Sequence, residues 1–245
     1  MELRDLIKGC EHTLSEDITP IEIEGICHDS RKCSKNYLFV AIQGLKNDGH
    51  DFIDAAIENG AIAVVHQFPF KSKNDDIAFI QVKDSRRALS KVSSAFYENP
   101  SSKLKVIGVT GTNGKTSTTY FLKEILEHAG RKTGVVGTLG AKYGDVNIDL
   151  HNTTPESLEL QFLLSKMADM GAEYVVMEVS SHGIAMGRVD DIRFQGGIFT
   201  NLTQDHLDYH NTMEEYYNAK KNFLDMPMEY KIINLDGGYG QKMYS

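Results

Sequence analysis

Residues 103 to 245 carry short apolar runs, KLKVIGVT, TGVVGT, EYVVMEVS, GGIFTNL and KIINLD, separated by segments with helical periodicity. Runs of this length with almost no polar interruption read as strands buried on both faces. Strands of that kind alternating with helices build a parallel sheet covered by crossover helices. No other feature of the chain constrains its fold as strongly. The run KLKVIGVT leads through a glycine corner into an amphipathic helix, with Phe121, Leu122, Ile125, Leu126 and Ala129 at helical spacing and a stop at Gly130. Thr154 and Pro155 read as an N-cap and first helical residue of a second helix, which runs through ESLELQFLLSKMADM to Gly171.

Residues 1–99 alternate β-like runs (YLFVAI, AIAVVHQF, IAFIQV) with helical ones (FIDAAIENGA, SRRALSKVSSAFYEN), a mixed α/β pattern. Pro100, Ser101 and Ser102 then read as a connection between domains 1–99 and 103–245. The length of 245 residues suits such a pair, and a 41% hydrophobic content supplies the cores and excludes disorder. A formal charge of −8 argues against a nucleic-acid partner, which calls for a basic face. The start, MELRDLIKGCEH, has neither a secretory signal nor a membrane span, so a cytoplasmic chain without membrane insertion is expected. Cys10, Cys27 and Cys33 make no disulfide framework and lack paired zinc spacing; buried or surface thiols are expected.

The corner Gly111-Thr112-Asn113-Gly114-Lys115-Thr116 has the parts of a phosphate-binding loop. Glycines let amides turn toward an anion, a helix N-terminus follows, Lys115 reaches phosphates and Thr116 can ligate magnesium. The match to G-x-x-x-x-G-K-[ST] is incomplete, since Val109 stands at the first glycine, and an ordinary strand-to-helix turn is the plain alternative. In a parallel sheet ligands gather at the carboxyl ends of strands. Glu178, followed by Ser180, Ser181 and His182, lies at one such end and His206 beyond another. His206 and His210 have zinc-like spacing, but Leu207 occupies the glutamate position of H-E-x-x-H. Thr212 and Glu215 form a capping-box signature that starts a helix with Met213, Tyr217, Lys220 and Leu224 on its inward stripe. Lys220 therefore lies on the buried stripe, either snorkelling or paired with an acid, or working inside a site; Lys221 lies off it.

Taken in order, GVTGTNGKT, HNTTPES, MEVSSHGIAMGRV, FTNLTQDHLDYH and YYNAKKNF resemble the Mur ligase family of peptidoglycan synthesis over nearly the whole chain. CHDSRKCSKNYLFVAIQGLKNDGHDFI is similar to the part of that family's N-terminal domain that holds the uridine nucleotide. The similarity is greatest to the branch that adds a diamino acid, as third residue, to UDP-N-acetylmuramoyl-L-alanyl-D-glutamate. The resemblance implies a UDP-binding domain over 1–99 and an incomplete ATP-binding domain over 103–245, without the family's third, C-terminal domain. It places ATP on Gly111, Thr112, Asn113, Gly114, Lys115, Thr116 and Ser117, and catalysis on Lys115, Glu178, His206 and Lys220. Magnesium falls to Thr116, Glu178, His206 and Lys220, the last as a carbamate formed with CO2. The muramoyl dipeptide falls on Thr153, Thr154, Ser180 and Arg188, with Ser30 and Arg31 toward uridine. Met186 stands where relatives often carry glutamine. The implied chemistry is ATP-dependent amide formation through an acyl phosphate by a monomer, with the diamino-acid site in the third domain. The 245 residues alone are not expected to be competent. A non-catalytic module binding UDP-muramoyl peptide and ATP, and a folylpolyglutamate synthetase-like ligase, are the competing expectations.

Overall fold

The computed structural model describes residues 1–14, 20–44, 47–69, 76–203 and 212–244. The chain forms two compact units, Met1–Glu98 and Asn99–Ser245. The break lies at Glu98 and Asn99, both with positive φ (56° and 51°). Pro100–Ser102, expected as the connection, is instead a 3-10 turn of the second unit. Ser101 is buried there and its hydroxyl accepts from the Arg193 amide at 3.0 Å.

The first unit contains helices α1 (Leu3–Ile7), α2 (Ile53–Glu58) and α3 (Ser85–Phe96) and strands β1 (His12–Leu14), β2 (Gly25–Cys27), β3 (Tyr37–Val40), β4 (Ala61–His66) and β5 (Ala78–Val82). Its sheet runs β1-β5-β4-β3-β2; only β1 joins antiparallel among the described strands. Asp84 starts α3 by accepting from the amides of Arg86 and Arg87, an N-cap that satisfies donors the helix leaves open. Phe39, Ala41, Ile53, Ala56, Val64 and Phe79 pack into its core. Cys27 and Cys33 are joined as a disulfide, contrary to the expectation of free thiols. The turn between them, capped by Asp29, brings their Cα atoms to 5.7 Å, within bridging range.

His66, at the end of β4, is buried, and its Nδ1 hydrogen bonds the Phe68 carbonyl at 2.7 Å. Burial lowers its pKa below the usual 6.5, so the folded state favours the neutral ring. The stability this contributes is full above the unfolded pKa and is lost as pH falls through the lowered folded pKa. Thermal unfolding should show the first unit losing stability below about pH 6.5. His66→Asn, whose amide can still donate to Phe68, should flatten that slope; an unchanged slope would assign it to other groups.

The second unit contains β6 (Lys105–Thr110), α4 (Lys115–His128), β7 (Thr133–Gly137), β8 (Gly140–Tyr143), β9 (Val146–Ile148), α5 (Ser157–Asp169), β10 (Tyr174–Glu178), α6 (Ser181–Ala185), β11 (Phe194–Phe199), α7 (Met213–Asp225), β12 (Tyr230–Ile233) and α8 (Gly238–Tyr244). Strand order is β12-β11-β6-β10-β7-β8-β9. The first five strands are mutually parallel, as the apolar runs predict; β8 and β9 add an antiparallel hairpin. KIINLD is not buried on both faces: β12 is the edge strand, and Ile232 is 54% exposed. The apolar stripe of α4 is only half covered. Thr119 is buried and Leu122 and Leu126 half-buried against the sheet, whereas Phe121 and Ile125 are 68% and 64% exposed. Residues 121, 125 and 129 lie one step, about 100°, round from 122 and 126. Gly130 and Gly171 follow their helix ends with φ of 75° and 83°, as expected of glycine stops. The second helix begins at Ser157 rather than Pro155, because Thr154 spends its hydroxyl on tertiary partners.

Candidate active site

From β6, the central strand, the backbone turns through Gly111 (φ 149°) and Gly114 (φ 84°) into α4. A Cβ on Gly111 would sit 1.9 Å from Thr200 Oγ1, so only glycine lets the loop pass the end of β11. Gly114 has open space and needs glycine only for its left-handed backbone. The end of β11 clamps the loop. The Thr112 and Asn113 amides donate to Asn201 (2.9 and 3.0 Å), and Thr200 Oγ1 donates to the Asn113 carbonyl at 2.7 Å. The Thr112 hydroxyl lies 3.1 Å from that of Tyr216. Thr112 and Asn113 therefore shape the loop with their amides turned to β11. The first-turn amides of α4, those of Lys115, Thr116 and Ser117, have no intrahelical acceptor and can face an anion. Lys115 Nζ lies over the loop, donating to the carbonyls of Gly111 and Thr112 at 3.0 and 2.9 Å.

Glu178 ends β10 beside this loop and is 1% exposed. Its Oε1 accepts from Thr116 Oγ1 and the Thr138 amide, both at 2.9 Å, and its Oε2 from Thr138 Oγ1 at 3.2 Å. Thr138 Oγ1 also lies 3.0 Å from Thr153 Oγ1. Gly137 makes room: a Cβ there would sit 2.4 Å from Glu178 Oε1. A buried carboxylate held by hydroxyls and an amide, next to a threonine on a helix N-terminus, offers the hard oxygen donors that magnesium takes. The described residues contain no cluster of three His, Cys, Asp or Glu suited to a metal. His206, expected as a further ligand, lies outside the described residues, as does His210.

Thr212 Oγ1 accepts from the Glu215 amide at 3.1 Å and starts α7, as its sequence signature predicts. The helix buries Tyr216, Tyr217, Ala219, Lys220, Phe223 and Leu224; Met213 is half-buried. Lys220 is 1% exposed, with Nζ 2.9 Å from the Gly111 carbonyl and 4.5 Å from the centre of the Tyr216 ring. Two lysine amines thus meet at one carbonyl of the glycine loop, 220 from α7 and 115 from α4. Lys221 points away and pairs with Asp225 at 2.6 Å.

The expected peptide-binding residues form a brace. Thr154 Oγ1 donates to the Glu178 carbonyl and accepts from the Ser180 amide, both at 3.0 Å. Ser180 Oγ caps α6 through the Gly183 amide. Arg188 donates to the Thr154 carbonyl (2.8 Å) and to Glu156 (2.7 Å), fixing the chain on which Thr153 is presented. In the first unit, a cavity of about 620 Å³ is lined by His28, Asp29, Ser30 and Arg31, with Phe39, Asn47, Phe52 and Asn59 among the facing residues. Both Asp29 oxygens accept from the Arg31 guanidinium (2.9 and 2.8 Å), which holds the Asp29 carboxyl at a pKa of about 2. Asn59 Nδ2 donates to the Ser30 carbonyl at 3.0 Å. Sequence reasoning missed Thr138, Asn201 and Asn59. Thr138 and Asn201 obey the rule that pointed to Glu178, being polar residues just past the carboxyl end of a strand.

A parallel sheet whose central strand turns through positive-φ glycines into a helix, with a buried acid and a buried lysine at the turn, is the framework of a phosphate-loop α/β protein. The chain belongs to the Mur ligase family: residues 109–245 match the Mur ligase middle domain and residues 22–97 the Mur ligase family catalytic domain. It is 49% identical over 245 residues to a UDP-N-acetylmuramoyl-L-alanyl-D-glutamate–2,6-diaminopimelate ligase of Clostridium tetani, covering 99% of this chain and 50% of the relative. A solved structure of a ligase of that name aligns with a TM-score of 0.82 at 28% identity, over all of this chain and 49% of the other. MurF ligase from Thermotoga maritima in complex with ADP aligns with a TM-score of 0.53 at 26% identity, over 80% of this chain and 42% of the other. The chain spans about half the length of the relatives it matches.

Proposed function

We propose that the chain is the UDP-muramoyl-peptide-binding and ATP-binding part of a ligase that joins a diamino acid to UDP-N-acetylmuramoyl-L-alanyl-D-glutamate in peptidoglycan synthesis. The name of the Clostridium tetani relative makes 2,6-diaminopimelate the expected amino acid. The observation that carries the reading is the convergence of Lys115, Thr116, Glu178 and Lys220 on the Gly111 loop. That the Thermotoga maritima neighbour is a complex with ADP supports adenine-nucleotide binding by this fold.

In this reading the first-turn amides of α4 hold the ATP phosphates, and Lys115 leaves the loop carbonyls to follow the transferring group. Thr116 and Glu178, with His206, would hold magnesium, which offsets phosphate charge when bound. The γ-phosphoryl passes to the terminal carboxylate of the dipeptide, and the amine of the diamino acid displaces phosphate to leave an amide. Thr153, Thr154, Ser180 and Arg188 orient that carboxylate; Arg188 does so through Thr154 and Glu156 rather than as an unengaged cation. Lys220 is the amine that adds CO2: its ammonium first gives up one proton, the freed nitrogen bonds the carbon, and a second proton leaves that nitrogen, so an anionic oxygen donor replaces a cation. A monomer acting in the cytoplasm completes the reading; no helix among the described residues is long and apolar enough to cross a membrane.

The first-unit cavity is the proposed uridine site. Replacing Ser30 and Arg31 together with alanine alters two wall residues, one of them the partner that fixes Asp29. Calorimetric titration should show UDP-muramoyl dipeptide binding weakened about tenfold or more, as for loss of a charged hydrogen bond. Binding of a non-hydrolysable ATP analogue should be nearly unchanged. Equal loss of both ligands would refute the assignment.

A further inference from the structure

Cys27 and Cys33 enclose five residues, His28 to Lys32, and the first four of them line the first-unit cavity. Cys27 ends β2 and is 3% exposed; Cys33 closes a 3-10 turn, Ser30–Lys32, and is half-buried. The bridge ties the turn back to the strand that carries it. Hydrogen bonds hold the turn as well. Asp29 accepts from Arg31, the Cys33 amide donates to the Ser30 carbonyl at 3.2 Å, and Asn59 reaches the same carbonyl. Arg31 itself is 87% exposed along its side chain. Opening the bridge therefore removes a covalent constraint from one whole wall of the cavity.

We propose that Cys27 and Cys33 are a reversible dithiol whose oxidation stiffens the ligand-binding turn, making nucleotide binding in the first unit sensitive to the thiol–disulfide state of its surroundings. This rests on the reading of that cavity as the uridine site. The oxidant is a low-molecular-weight disulfide. The thiolate of Cys33, the more exposed of the two, attacks one sulfur and expels a thiolate; the Cys27 thiolate then attacks the mixed disulfide at Cys33 and expels the second. Two cysteine thiols become one disulfide, and one small disulfide becomes two thiols. A small thiolate attacking Cys33 runs the sequence backward, with Cys27 leaving.

Fixing the turn in advance removes ordering that would otherwise accompany binding, and immobilising about one residue corresponds to roughly tenfold in affinity. The test equilibrates the 245-residue chain in oxidised or reduced glutathione, counts free thiols by alkylation and mass spectrometry, and titrates each form with UDP. The oxidised chain should have one alkylatable thiol, Cys10, bind UDP about tenfold more tightly than the reduced chain, and melt a few degrees higher. Cys33→Ser should bind like the reduced chain in either buffer and so separate the bridge from other effects of oxidation. Three free thiols in the oxidising buffer, or equal UDP affinity of the two forms, would overturn the proposal. No UDP binding in either form, with melting still raised by oxidation, would support the redox pair and overturn the uridine reading instead.

Discussion

Gly137→Ala is expected to cost the second unit about 1–3 kcal/mol of stability by overpacking, and to remove magnesium-dependent nucleotide binding. The new methyl carbon would stand 2.4 Å from Glu178 Oε1 and 2.9 Å from Cδ and Cγ. Glu178 is buried and cannot swing into solvent without leaving Thr116 and both Thr138 donors. Hydrogen bonds to a charged group are worth about 1.5–3 kcal/mol each, so the variant either strains β7 or abandons them. Gly238→Ala, in the same unit, is the control, since its methyl group meets nothing within 4 Å and its backbone is not in the left-handed region. Denaturant unfolding and titration of a non-hydrolysable ATP analogue with and without magnesium measure both effects. A Gly137→Ala chain of normal stability with a full magnesium response would show that Glu178 is not fixed in the way described.

Lys220→Ala should have the other large effect, acting at two levels. It empties a buried site and removes a donor from the Gly111 carbonyl, for which a loss of about 2–4 kcal/mol is expected. Lys220→Met keeps most of the buried volume and should recover most of that stability. Neither variant can form a carbamate. With 13C-labelled bicarbonate, NMR should show a carbamate carbon in the wild-type chain and in Lys221→Ala, whose side chain pairs with Asp225 away from the loop. Lys220→Met should show none and should lose magnesium-dependent nucleotide binding. Acetate at high concentration should restore part of that binding to Lys220→Ala by placing carboxylate oxygens in the vacated space. A carbamate signal that persists in Lys220→Met would place the modification elsewhere.

The glycine corner and Lys220 were legible in the sequence because each is fixed by local rules. An apolar strand, Gly111 and Gly114, and then helical periodicity spell a strand-to-helix turn, and the Thr212 cap sets the phase that points residue 220 inward. The buried face is wider than that stripe, since Tyr216 and Phe223 share it. Thr154 looked like a helix cap, but its hydroxyl is claimed by residues 24 and 26 positions away, which no local pattern reveals. Thr138 and Asn201 are lone polar residues whose partners come from other strands. The β8–β9 hairpin was missed because its residues, several of them polar, do not form an apolar run. Cys27 and Cys33 lie six residues apart, a separation without meaning until the turn at Asp29 folds the chain back.

Whether the Gly111 loop with Thr116 and Glu178 is a magnesium-nucleotide site is tested most directly by calorimetric titration of the chain with a non-hydrolysable ATP analogue. Magnesium should be present, absent, and present with Glu178→Gln. Glutamine keeps the shape of the side chain and its acceptor for Thr116 but not the charge. Magnesium should tighten binding by at least tenfold in the wild-type chain and by little in the variant. Binding that is equally tight with and without magnesium, or a magnesium effect that survives Glu178→Gln, would contradict it.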